Sequence, residues 1–304
     1  MTFSVLYGIE GNNIDVTEIA LQKCYNKNII SIPSGELNRS LLFTDPLHGI
    51  LKIILIRNND TGIVTSYDHN KKIFIDIDKN EITCKTENTI VNNKKLDDLH
   101  TKLTLKYGSF REEYPEQIMA VTYLTGHEKV LEIGGNIGRN SMIIGSILNS
   151  SDNENFVCLE CDANIANQLR ENRDANSLKF HIGVTALSKR PLIQKGWDTM
   201  VSEELLPGYK RVNTLSYEEL IQKYNIDFDT LVLDCEGAFY YILMDMPEIL
   251  DNINLIIMEN DYHDISHKQY IDKILSDNGF YVDYSQSGGW GPCYKNFFEV
   301  WKLR

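Results

Sequence analysis

The stretch that most constrains this chain is Lys129 to Ser141, KVLEIGGNIGRNS. Val130, Leu131 and Ile133 form the short apolar run of a buried strand. Gly134, Gly135 and Gly138 follow directly, and Met142, Ile143, Ile144, Ile147 and Leu148 then recur at helical spacing. Strand, glycine turn and helix in this order build a nucleotide cradle. The glycines permit positive φ and close backbone approach, and the helix start offers unpaired amides. Glu132 and Asn136 add polar side chains at the carboxyl end of the strand, where open α/β sheets bind ligands. The spacing is not the dinucleotide fingerprint, which needs glycines at 134, 136 and 139; the chain has Gly134, Asn136 and Arg139 there. It also lacks a lysine-bearing phosphate loop.

At 304 residues the chain can form one large domain or two modest ones. Its net charge of −13 repels phosphate backbones and argues against a nucleic-acid partner, although a local basic pocket can still take a phosphorylated sugar. No apolar run reaches the ~18 residues of a membrane span. The first residues lack the basic and apolar regions of a signal peptide, so the expected location is cytoplasmic and membrane association is not expected. The six cysteines are scattered, as in reduced intracellular proteins. Cys158 and Cys161 form one C-x-x-C without the second pair that a zinc site needs.

Residues 1–85 read as a β-rich accessory domain. Phe3–Tyr7, Ile29–Ile32, Ile50–Ile56, Gly62–Tyr67 and Lys72–Ile77 are apolar or alternating runs, separated by turn-forming clusters such as Gly11-Asn12-Asn13 and Asp68-His69-Asn70. Thr17–Cys24 reads as one helix, capped by Asp15 or Thr17. Strands at this spacing predict a small sandwich or barrel, serving either packing and homodimerisation or carbohydrate and partner binding. Residues 86–108 are polar and partly helical and read as a junction. A third region, 109–304, opens with a helix in which Pro115 suits the first position and Glu116 complements the positive helix end. Glu116 and Gln117 also lie just upstream of the cradle, so either side chain can reach its ligand.

Beyond the cradle, Phe156–Cys161 reads as the second parallel strand, ending in Glu160 and Asp162. An acid at this strand end accepts hydrogen bonds from ribose hydroxyls in nucleotide folds. Leu178–Val184 is the third strand, and residues 189–211 read as an irregular substrate loop. Thr230–Leu233 is the central fourth strand and terminates in Asp234-Cys235-Glu236-Gly237. Ile253–Met258 is the fifth and runs into Glu259-Asn260-Asp261-Tyr262-His263. Asp234, Glu236 and His263 are therefore the candidate acids and bases at the strand-end level. An alternative places a divalent metal on Asp234, Glu259 and Asp261, three oxygen donors suited to Mg²⁺. Two last strands flank SQSGGWGPCYKN, an aromatic, glycine-rich connection that suits a sugar-stacking lip or a plain surface loop.

Taken together, VLEIGGNIG, VCLECDANIANQLREN, TALS, VNTL, DTLVLDCEGA and LIIMEND resemble the FkbM-type S-adenosylmethionine (SAM)-dependent methyltransferases, over about Val130 to Glu259. The resemblance implies a Rossmann-like class I methyltransferase sheet, mostly parallel with an antiparallel last strand. It implies SAM as methyl donor and O-methylation of a sugar, nucleotide-sugar or glycan hydroxyl. Carried over by position, Glu132, Gly134, Asn136 and Gly138 would hold the methionine end; Gly135 of the same turn, and Glu116 from its place upstream of the cradle, are further candidates for the cofactor. Glu160 and Asp162 would lie at the ribose, Ala186 and Leu187 near adenine, and Asp234 and Glu236 at the reacting methyl. Phe239 stands where the family often has a further acid. The competing expectation is a non-catalytic carbohydrate-binding or assembly protein with a degenerate Rossmann-like domain.

Overall fold

A computed structural model describes residues 3–47, 50, 52–69, 71–196 and 198–304. Leu51 of the expected third strand, Asn70 of one expected turn and Trp197 of the expected loop lie outside the described residues. The chain divides into two compact units, residues 1–94 and 95–304.

The first unit holds β1 (Phe3–Ile9), β2 (Asn12–Asp15), α1 (Thr17–Lys23), β3 (Tyr25–Asn26), β4 (Ile29–Ile32), α2 (Glu36–Phe43), β5 (Ile53–Asn58), β6 (Val64–Tyr67), β7 (Lys71–Asp76) and β8 (Glu81–Thr86). The strands form two four-stranded antiparallel sheets, ordered β2-β1-β5-β6 and β3-β4-β7-β8. Val5, Tyr7, Ile54 and Ile56 of one sheet share an apolar cluster with Ile30, Ile32, Ile73 and Ile75 of the other. Asp15 accepts from the backbone N–H of Thr17 at 2.9 Å at the start of α1. The fully buried Arg39 donates to the carbonyls of Pro33, Asp68 and Lys71, which lets a guanidinium sit inside an apolar core.

Helix α3 (Glu87–Lys102) runs through the segment expected as a junction, and its Leu96 is fully buried in the core of the second unit. The second unit continues with α4 (Tyr114–Tyr123), β9 (Val130–Ile133), α5 (Arg139–Asn149), β10 (Phe156–Leu159), α6 (Ala163–Ala175), β11 (His181–Gly183) and β12 (Ala186–Leu187). Next come β13 (Leu192–Lys195), β14 (Asp198–Val201), β15 (Lys210–Val212), β16 (Thr214–Leu215), α7 (Tyr217–Tyr224), β17 (Thr230–Leu233) and α8 (Ala238–Asp245). The last elements are β18 (Leu255–Glu259), α9 (Ile265–Asp277), β19 (Phe280–Gln286) and β20 (Phe298–Leu303).

Seven strands form one sheet in the order β11-β10-β9-β17-β18-β20-β19. The pairs from β11 to β18 are parallel, and β20 runs antiparallel to both neighbours. This is the mostly parallel Rossmann-like sheet with an antiparallel last strand. The central strands are buried along their whole length, as sheets covered on both faces require. Met142, Ile143, Ile144, Ile147 and Leu148 of α5 are buried, at roughly 1.5–3 kcal/mol of stabilisation per side chain. Strand order reverses between β9 and β17, so the crevice above their carboxyl ends is the switch point at which such sheets bind ligands.

Residues 189–211 are not the expected irregular loop. They form a three-stranded antiparallel sheet, β14-β13-β15, with Ile193 and Gln194 buried. Nearer the chain end, Lys268 and Glu299 form a buried ion pair at 2.9 Å. Asp272 also binds the lysine, and Trp301 and Asn260 donate to the glutamate. Among the described residues no helix is long and apolar enough to cross a membrane.

Candidate active site

The glycine loop closes against the end of β17. Gly134 has φ +92°, and a Cβ there would lie 1.6 Å from the backbone oxygen of Asp234. The Asp234 N–H in turn donates to Ile133 O at 3.1 Å, which extends the central ladder by one residue. Only a residue without a side chain brings the two strand ends this close. Gly135 donates its N–H to Leu159 O at 2.9 Å, tying the loop to β10. Gly138, with φ +90°, is the N-cap of α5, so the first amides of that helix open beside the loop. Asn136 has φ 47°, and its side-chain oxygen accepts from the N–H of Ile137.

Glu160 joins the loop to the second strand. One carboxylate oxygen accepts from the Asn136 N–H at 3.0 Å and the other from the Asp162 N–H at 2.7 Å. Burial pushes its pKa up, against the pull of those two amides. Asp162 is spent elsewhere: it caps α6 through the N–H groups of Asn164 and Ile165 and pairs with Lys210 at 2.5 Å. It does not combine freely with Glu160 as the sequence suggests, because an acid one residue before a helix is the natural cap.

Glu132 points under the loop. Its carboxylate is 3 % exposed and accepts from Ser141 Oγ of α5 at 2.5 Å. Burial pushes it up to about 7. Glu132 is therefore held beneath the cradle, with Ser141 of α5 on one of its oxygens. Alternation along β9 sends position 132 to the helix-covered face. Leu187 is likewise a core residue at 3 % exposure, and the Ala186 N–H bonds to Asn213 O at 2.8 Å.

On the other side of the crevice the structure gathers acids from three elements. Glu113 and Glu116 come from the start of α4, Asp234 and Glu236 follow β17, and Glu259 and Asp261 end β18. Glu116 is buried, its Oε2 has no donor, and the Glu259 carboxyl faces it as a hydrogen-bond partner. Two carboxyls can bond only through a shared proton. Burial, then the charge of Asp234, pushes Glu259 up to about 11. Burial, then Glu113 and Asp261, raises Asp234 well above the usual carboxylate range. Asp261 accepts from the Gly237 N–H at 2.8 Å, leaves Oδ2 without a donor, and is pushed up to about 6 by burial and by Glu236.

Sequence reasoning missed Glu113 and Arg139. Arg139, at the first position of α5, pairs with Glu113 at 2.7 Å and Glu112 at 2.5 Å. A cation at the positive end of a helix is unfavourable alone, and the two carboxylates offset it. The E-E pair at 112–113 and the arginine after the last glycine were the available signals.

Glu236 is exposed with φ 50°, and Phe239 is fully buried in the core. His263 is exposed and stands 4.5 Å, centroid to centroid, from Trp290 of the glycine-rich connection. The structure thus brings Asp234, Glu236, Glu259 and Asp261 together but gives His263 an aromatic neighbour. Among the described residues no group of three or more His, Cys, Asp or Glu side chains can hold a metal ion, so Asp234, Glu259 and Asp261 do not form the expected oxygen set.

No family model matches the chain, and no curated protein matches it. Solved structures are similar at low identity. One is an O-methyltransferase from Bacillus cereus in complex with SAH, 13% identical, covering 72% of this chain and 92% of that one, with a TM-score of 0.40. Another is the methyltransferase FkbM from Methylobacillus flagellatus, 12% identical over 71% of this chain and 60% of that one, TM-score 0.40. A third is the ribosomal protein L11 methylase from Lactobacillus delbrueckii subsp. bulgaricus, 12% identical over 65% and 81%, TM-score 0.38.

Proposed function

We propose that the chain is an S-adenosylmethionine-dependent O-methyltransferase acting on a hydroxyl of a sugar, nucleotide sugar or glycan. The observation that carries this reading is Glu160, whose carboxylate spans the glycine loop and the end of β10 beside the switch point. A carboxylate has about four lone-pair sites. The two backbone amides leave the rest for a pair of ribose hydroxyls.

The acid cluster fits the other end of the same cofactor. Glu116 and Asp261 each keep a buried oxygen without a donor, and a ligand bearing ammonium and sulfonium charges supplies what they lack. Gly134, Gly135, Asn136 and Gly138 give the cradle its close backbone approach. The cofactor supplies an electrophilic methyl group. The chain's own task is to align an acceptor oxygen and keep water away, and alignment alone is worth about 7 kcal/mol or more. Asp234 and Glu236 are the groups placed to take the hydroxyl proton. A cationic ligand beside Asp234 draws its raised pKa down, so the ionised base arises once the cofactor is seated. No step is assigned to a metal, because the donor set does not fit one. Trp290 and His263 offer a stacking edge for a sugar ring, with His263 as an alternative base. The first unit serves this reading as an accessory module for packing, self-association or acceptor binding.

A thermal-shift series tests the proposal. Ligand at 100 times its Kd stabilises the native state by about 2.7 kcal/mol. SAM and S-adenosylhomocysteine should each raise Tm. A shift with glycans and none with either nucleoside would instead identify a carbohydrate-binding protein. Unchanged turnover in both Asp234→Asn and His263→Ala would remove those residues from the chemistry.

A further inference from the structure

A hollow of about 540 Å³ in the second unit lies outside the crevice just described, walled by α3 and the segment leading into α4. Its lining includes Asp97, His100, Gly108, Phe110, Arg111 and Tyr114. The His100 ring lies flat on Phe110, centroids 4.8 Å apart and planes at 13°, and Tyr114 stands edge-on at 6.3 Å. One wall therefore offers aromatic surface beside a carboxylate and a guanidinium. Hydroxylated rings are held by this combination: their apolar faces pack on aromatic planes while charged side chains take the hydroxyls.

The histidine is fixed in one tautomer. His100 Nε2 lies 2.6 Å from Gln117 Oε1. Gln117 is fully buried, and its amide nitrogen donates to the carbonyls of Phe110 at 3.2 Å and Glu112 at 2.8 Å. The amide cannot flip without losing both, so its oxygen must accept and His100 Nε2 must carry the hydrogen. Nδ1 of the neutral ring is left as an acceptor. One buried amide thus ties the 110–112 turn and sets the imidazole's orientation together.

The hollow also adjoins the glycine loop. Gly108, with φ +81°, has no Cβ where one would meet Ile137 Cδ1 at 2.3 Å, so its backbone packs directly on the loop.

We propose that this hollow is a ring-binding subsite for the acceptor, taking one pyranose unit with Tyr114 as stacking surface and His100 Nδ1 as a fixed hydrogen-bond acceptor. This identification of the ring as part of an acceptor rests on the methyltransferase reading; the binding itself does not.

The test uses the full chain and saturation-transfer NMR with methyl α-pyranosides of glucose, galactose, mannose and rhamnose. At least one should show ring-proton signals that fall at least fivefold in Tyr114→Ala and in His100→Ala. Tyr114 is part-exposed at 36 %, so its variant should fold, and an unchanged Tm checks this. Nitrogen-15 spectra should show His100 as the Nε2–H tautomer. S-adenosylhomocysteine affinity, measured by calorimetry, should be the same in both variants. Absence of any pyranoside signal, or signals that persist in both variants, overturns the subsite even when S-adenosylhomocysteine binds. So does loss of S-adenosylhomocysteine binding in Tyr114→Ala, which would give the hollow to the cofactor. Pyranoside binding lost in the variants, with no S-adenosylhomocysteine binding to the parent chain, leaves the subsite standing and sinks the methyltransferase reading.

Discussion

Glu116 from α4 and Glu259 from the end of β18 meet carboxyl to carboxyl, and a proton between them is what lets both stay inside the protein. The pair binds that proton more tightly folded than unfolded, where carboxyls titrate near their ordinary values. Stability is then fully present below an unfolded glutamate pKa of about 4.3 and falls as pH rises toward the folded value. Asp261 and Glu132, pushed up to about 6 and about 7, act with the same sign. The ligand-free protein should lose resistance to urea steadily from pH 5 toward pH 8. Glu259→Gln should flatten that slope. A stability that rises over the same interval would contradict the shared proton.

Glu160→Gln keeps the size of the side chain but removes its charge. Charge-assisted hydrogen bonds contribute about 1.5–3 kcal/mol. S-adenosylhomocysteine affinity should drop by roughly 10- to 100-fold on that basis. Calorimetry on the two proteins side by side decides it, and equal affinities would dissociate Glu160 from the ribose.

Gly134→Ala forces a Cβ into the Asp234 carbonyl at 1.6 Å, in a backbone conformation that side chains disfavour. The strand ends must part, at a cost of about 3 kcal/mol or more. Circular dichroism melts should show a large fall in Tm together with lost cofactor binding. A variant with parental Tm would mean that the loop does not close on β17.

Lys268→Met leaves Glu299 buried without its cation, and the loss of one partner from such a pair costs about 3–5 kcal/mol. Replacing both residues at once, Lys268→Met with Glu299→Leu, should restore much of the loss, because neither charge is then stranded. Denaturant titrations of the single and double variants make the comparison.

The parallel core was legible because its signals are local. Val130, Leu131 and Ile133 surround a single acid, Leu231 to Leu233 are apolar throughout, both runs stop at glycine or acid, and they form β9 and β17. Elements that bury polar groups escaped. Arg39 is fully buried within α2, and Gln194 is buried within β13, so neither segment shows an apolar period. The pattern reads burial from polarity, and both residues break that link through hydrogen bonds made far along the chain. For the site, the residue types at strand ends pointed to the crevice, but not to the direction of each side chain. Glu132 and Leu187 turn into the core, while Arg139 and Glu113 meet only in three dimensions. His100 had no signal beyond its identity, and Gln117, singled out for its place upstream of the cradle, bonds the His100 ring and the carbonyls of Phe110 and Glu112.

Asn172, fully buried in α6, uses its one amide for four bonds. Its oxygen accepts from the N–H groups of Lys106 and Tyr107, and its nitrogen donates to the carbonyls of Tyr107 and Ile137. The approach to the aromatic hollow and the tip of the glycine turn are thereby riveted to a single side chain. Removing that amide would strip four backbone groups of their partner at once, so the two segments depend on one side chain for their satisfaction.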